Sequence, residues 1–145
     1  SEFIFFENAV EGGYTARAFG ESIFTEGNDL DEVRQNIHEA MDCHFEPAEK
    51  PGLHASTLLV RKFLPHKTPR DISGSDLIKA LRKLGHEVTR QNGSHIRITT
   101  TENGTHRSTV PNHDPLKLGT LASILDDNAT HQGLSRDELL VQLGF

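Results

Sequence analysis

His86-Glu87-Val88-Thr89-Arg90-Gln91-Asn92-Gly93-Ser94-His95-Ile96-Arg97-Ile98-Thr99-Thr100-Thr101 decides the fold of the C-terminal half. Asn92-Gly93 is a strong two-residue hairpin signal between β-prone runs, because both central positions of such a turn need positive φ. A second pair, Asn103-Gly104, follows. The spacing predicts three short strands, His86–Gln91, His95–Thr101 and Thr105–Val110, joined as a meander. Side chains alternate along a strand, so Ile96 and Ile98 face one way while His95, Arg97 and Thr99 face the other. His95 thus follows a tight turn on a polar face, with Arg90 and Arg107 approaching from the neighbouring strands.

Upstream, Ser73 is placed to cap a helix with Leu77, Ile78, Leu81 and Leu84 on its buried side. Lys79, Arg82 and Lys83 lie on the other side, where they either complement the helix dipole or contact phosphate. Gly85 ends this helix. Downstream of Val110-Pro111-Asn112-His113, apolar periodicity predicts a helix over Leu116–Asp127. A short final helix is capped by Ser135 with Glu138. The order helix, three strands, helix is that of a double-stranded-RNA-binding type of fold.

The N-terminal half reads as strand, strand, strand, helix, strand. Phe3–Phe6, Tyr14–Phe19 and Ser22–Thr25 are the first three strands, with Glu11-Gly12-Gly13 and Glu26-Gly27-Asn28 as turns. Asp29 and Glu32 form a capping-box pattern for a helix carrying Leu30, Val33, Ile37, Ala40, Met41 and Phe45. His54–Phe63 is the fourth strand. Leu64 to Asp71, with Pro65 and Pro69, is an extended linker. The expected class is α+β with two small domains, residues 1–64 and 73–145, joined by residues 65–72.

Charge separates the halves. Residues 1–66 carry five Lys/Arg against twelve Asp/Glu, a net of −7, and residues 67–145 carry ten against nine, a net of +1. Between 70 and 110 the count is seven basic to four acidic. Opposite fields favour docking of the halves and compete with an anionic ligand for the basic one. The single cysteine, Cys43, excludes an intrachain disulfide and suits a reducing, cytoplasmic setting. No apolar run approaches a membrane span, and no signal-peptide pattern is present. His38, His44 and His54 do not share a ligand spacing, so no metal site is expected.

Residues 73–143 resemble the HicA family of bacterial toxins. The resemblance is carried by Lys83-Leu84-Gly85, Gly93-Ser94-His95, Val110-Pro111-Asn112-His113, Leu118-Gly119-Thr120-Leu121, Ile124-Leu125 and Gly133-Leu134-Ser135, in that order. It implies a small mRNA ribonuclease that works without a metal or other cofactor. The family's active histidine falls on His95 and its second histidine on His113. His86 stands where that family has a large aromatic or apolar residue, and packing is its expected role. Residues 1–63 resemble the N-terminal domain of HicB antitoxins through Glu11-Gly12-Gly13-Tyr14, Glu26-Gly27-Asn28 and the helix with Asn36-Ile37 and Glu39-Ala40. The usual proline- and cysteine-containing loop is replaced by Phe19-Gly20-Glu21-Ser22. The DNA-binding segment that normally follows is absent, so DNA is not an expected partner.

These readings converge on a toxin–antitoxin fusion. Its C-terminal module binds mRNA or structured RNA and cleaves it with His95 as acid or base. Arg90, Ser94, Arg97, Arg107, Lys79, Arg82, Lys83 and His113 are the RNA-binding candidates. An imidazole titrating near neutrality can move the 2′-hydroxyl proton, and a cation stabilises the phosphorane charge. The acidic half covers the His95 face, either within one chain or by exchange in a homodimer. The alternative is a catalytically inactive RNA-binding or protein-interaction module of the same fold.

Overall fold

The computed structural model describes residues 2–8, 11–49, 60–63 and 68–145. Two small α+β domains emerge, in the expected element order. In the first, β1 (Phe3–Asn8), β2 (Tyr14–Ala18) and β3 (Phe24–Gly27) precede α1 (Leu30–His44) and β4 (Val60–Phe63). The sheet order is β3-β2-β1-β4, antiparallel except for the parallel β1–β4 pair. A parallel pair needs a crossover connection, and α1 lies in it. The residues expected to begin the fourth strand and the first part of the linker, 54–59 and 64–67, lie outside the described residues.

Alternation along β1 sends Phe3 and Phe5 into the core, where they meet Val33, Ile37, Ala40 and Met41 of α1. Phe6 lies on the opposite face, beneath the Arg17 guanidinium at 5.3 Å. The Asp29 side chain accepts the Glu32 amide at 2.8 Å and starts α1 as expected.

The second domain runs α2 (Gly74–Arg82), β5 (Glu87–Asn92), β6 (His95–Thr100), β7 (His106–Pro111), α3 (Leu118–Gln132) and α4 (Arg136–Leu143). The strands form the antiparallel meander β5-β6-β7. Ser73 and Asp76 close a reciprocal capping box on α2, as do Ser135 and Glu138 on α4. α3 starts two residues later than the periodicity predicts and runs five further. Leu116 is buried without being helical, and the stop is Gly133 in the left-handed region at φ 71°, its amide bonded to the last carbonyls of the helix.

One boundary shift matters for the site. The expected third strand, Ser22–Thr25, sits two residues later as β3, which draws Glu26 and Gly27 from the expected turn into the sheet. Ser22 and Ile23 instead meet the edge of β7: Ile23 bridges Thr109 in parallel, and the Thr109 amide donates to the Ser22 carbonyl at 2.9 Å. The two sheets therefore join edge to edge. Ile23 enters the N-terminal core, and its neighbour Phe24 enters the C-terminal core beside Leu121 and Leu125.

Candidate active site

The turn forms one residue later than the sequence predicts: Asn92 pairs with His95 in the ladder, Gly93 and Ser94 are the central residues, and of the two only Gly93, at φ 56°, has positive φ. What meets it is the Glu39 carboxylate from α1. Glu39 Oε1 accepts from the Ser94 amide, from Ser94 Oγ at 2.9 Å and from His95 Nδ1 at 3.1 Å. A Cβ at Gly93 would collide with the same oxygen. The other ring nitrogen of His95, Nε2, lies 2.8 Å from Thr25 Oγ1 of β3. Cys43 Sγ contacts the His95 carbonyl at 3.5 Å. His95 is completely buried.

Burial pushes the His95 pKa down despite the opposing pull of Glu39. Burial also opposes ionisation of Glu39, but the bonds from His95 and Ser94 outweigh it and hold that carboxyl below its ordinary value. With burial disfavouring the charged ring, the Glu39 carboxylate takes the single ring proton on Nδ1. Nε2 then accepts from Thr25.

The polar face of β6 is not open to solvent. Arg97 is buried, donating through Nε to Thr89 Oγ1 at 3.1 Å and through its guanidinium to the His44 carbonyl at 3.1 Å. It also pairs with Glu46 at 3.1 Å. Arg90 reaches the second oxygen of Glu46 at 3.0 Å, and Arg107 reaches Glu49 at 2.8 Å. The Arg107 bond holds the Glu49 carboxyl down at about 2. His44, at the end of α1, is buried against Thr109 Oγ1 at 2.9 Å. Burial, then the nearby Arg107 and Arg97, push its pKa down to about 4. Glu21, half exposed at 3.6 Å, does not offset them.

A second cluster surrounds the start of α3. His113 Nδ1 meets buried Glu26 Oε2 at 2.8 Å, and this bond raises the His113 pKa. The helix has no side-chain cap of its own at Lys117. Residues of the first domain supply its partners: Glu26 accepts the Lys117 amide at 3.0 Å, Glu11 accepts the Leu118 amide, and Asn8 Oδ1 accepts the Gly119 amide at 3.1 Å. Acidic groups there also complement the positive end of the helix.

Of the sequence-predicted candidates, Arg90, Ser94, His95, Arg97, Arg107 and His113 all lie in this contact between domains. Lys79, Arg82 and Lys83 are exposed along α2 and take no part in it. His86 is a buried packing residue bonded to the Leu81 carbonyl and Asn128 Oδ1. Among the described residues, no group of three or more His, Cys, Asp or Glu could hold a metal ion. Likewise among the described residues, no helix is long and apolar enough to cross a membrane.

Sequence reasoning missed Thr25, Glu26, Glu39, Glu46 and Glu49 as site residues. It treated the acidic residues as scattered: Glu39 lies on α1, whereas Glu46 and Glu49 follow its end, so no helical spacing links the three. Their pattern becomes informative only once the basic face opposite them is known.

The chain thus has a toxin–antitoxin-like fold with histidines buried where its two domains meet. Residues 74–128 match the family model described as the HicA toxin of bacterial toxin-antitoxin, so the C-terminal region resembles that family. The chain is also similar to a UPF0150 protein of Archaeoglobus fulgidus, with 46% identity over 50 residues, 34% of this chain and 76% of that protein. The chain belongs to the family of that UPF0150 protein. No solved structure matches the chain.

Proposed function

We propose that the C-terminal domain is a metal-independent endoribonuclease acting on mRNA or structured RNA, and that the HicB-like N-terminal domain is its built-in antitoxin. The division proposed is residues 1–64, a connection at 65–72, and residues 73–145. The observation that carries this reading is the state of His95. Both of its ring nitrogens are held by N-terminal side chains, Thr25 and Glu39, and no part of it is exposed.

When the face is uncovered, Nε2 of the neutral ring takes the proton of a ribose 2′-hydroxyl. The 2′-oxygen then bonds to phosphorus as the 5′-oxygen leaves, and the leaving oxygen takes a proton from the imidazolium or water. The nucleophile belongs to the RNA, so no protein nucleophile is needed. Arg97 and Arg90 stabilise the added phosphorane charge.

The test is RNA cleavage by the intact chain, by residues 73–145 and by His95→Ala in both. The reading expects cleavage by the isolated domain, its loss on His95→Ala with RNA binding retained, and little cleavage by the intact chain. RNA binding by the isolated wild-type domain without cleavage at any concentration supports the inactive-module alternative.

A further inference from the structure

Glu39 Oε1 draws together three donors of one turn: the Ser94 amide, the Ser94 hydroxyl and His95 Nδ1. Gly93 presents no Cβ, and only that absence gives the oxygen room. One backbone amide and two side-chain donors converging on an anionic oxygen make an anion-binding arrangement of charge-assisted hydrogen bonds. Among the described residues, the acid in it, Glu39, comes from the other domain.

The opposite edge of the ring holds a hydroxyl, Thr25 Oγ1, on Nε2. A carboxylate on Nδ1 and a hydroxyl on Nε2 stand on opposite sides of the imidazole, separated by the ring and two hydrogen bonds. A 2′-hydroxyl attacks its own adjacent phosphate and must come within bonding distance of it. Groups on opposite edges of one imidazole cannot be that pair.

We propose that the Gly93-Ser94-His95 turn is a phosphodiester subsite that grips the RNA backbone at a phosphate next to the one cleaved, and that Glu39 occupies it as a phosphate surrogate. Thr25 takes the place of the attacking 2′-hydroxyl. The N-terminal domain excludes RNA by presenting the two groups that RNA itself presents. Ser94 is then a substrate-binding residue. This rests on the ribonuclease reading for the identity of the ligand, but the anion site is separately testable.

The experiment is a titration of the full chain with inorganic phosphate, at ionic strength matched with chloride, followed through the backbone amide resonances. In Glu39→Ala, the Ser94 and His95 amides are expected to shift saturably. In the wild type, phosphate binding there is expected to be at least about tenfold weaker, as a resident competing carboxylate requires. Adding Ser94→Ala to Glu39→Ala is expected to remove the response. If Glu39→Ala does not fold, Glu39→Ser also withdraws the side chain from the turn and is titrated in the same way. A folded Glu39 variant whose Ser94 and His95 amides ignore phosphate overturns the subsite, as does an equal response in the wild type. Phosphate binding with no RNA cleavage by residues 73–145 keeps the subsite and removes the ribonuclease reading. Cleavage without phosphate binding does the reverse.

Discussion

Glu39 and His95, 56 residues apart in sequence, meet at 3.1 Å across the boundary between the two domains. The contact ties the acid–base candidate of one domain to a carboxylate of the other. Removing the carboxylate leaves the Ser94 donors and His95 Nδ1 in need of new partners. Glu39→Ala is expected to lower the stability of the intact chain by roughly 1–3 kcal/mol, the cost of leaving such groups unsatisfied. Urea unfolding of wild type and variant measures it, and an unchanged midpoint contradicts the role given to this pair.

Acid is expected to loosen the contact. His44 keeps its proton far less readily in the folded chain, about 4 against an ordinary 6.5. The unfolded chain therefore binds more protons between those two values, so stability rises with pH across that window and is lost as pH falls through it. A depression of this size corresponds to on the order of 3 kcal/mol. His95 shifts in the same direction. His113 opposes them: its raised pKa gives stability that is full below its ordinary value and is lost as pH rises through the raised one. Thermal unfolding across the window should show a net fall toward acid that shrinks in His44→Gln.

Phe24 couples the domains through packing. It lies on a strand of the first sheet yet is buried in the core of the second domain. Phe24→Ala is expected to cost about 3–5 kcal/mol. It should also expose the His95 face, read as faster hydrogen exchange at the Ser94 and His95 amides. Loss of stability with no change at those amides would separate Phe24 from the docking.

The ion pairs contribute less than their number suggests. Glu46 is half exposed although Arg97 is nearly buried. A double-mutant cycle on Arg97→Met and Glu46→Gln is expected to give a coupling of about 1 kcal/mol, weakened by salt. A coupling near zero would make Arg97 a packing residue held by the His44 carbonyl.

The C-terminal fold was legible because local signals agreed: Asn92-Gly93 marked the hairpin, though its turn falls one residue later, Ser73 and Ser135 set helix starts, and alternation put Ile96 and Ile98 inward. The place of His95, directly after a turn and at the start of a strand, was visible as well. The docking geometry was not. The sequence shows that one half is acidic, but which acid meets which base depends on how β3 sits against β7. That placement turned on a two-residue shift that moved Glu26 from a turn into a strand. Such a shift follows from tertiary edge pairing between distant segments, which local propensity does not encode. The helix over 118–132 was underestimated for a simpler reason: polar Asn128 and Thr130 interrupt its apolar periodicity, and only Gly133 marks the end.

The most direct measurement compares RNA cleavage by the intact chain with cleavage by residues 73–145 at equal concentration. A blocked His95 predicts that the isolated domain cleaves at least about tenfold faster, the effect of removing roughly 1.4 kcal/mol or more of competing contact. Equal rates from the two proteins would contradict the claim that the N-terminal domain masks the site.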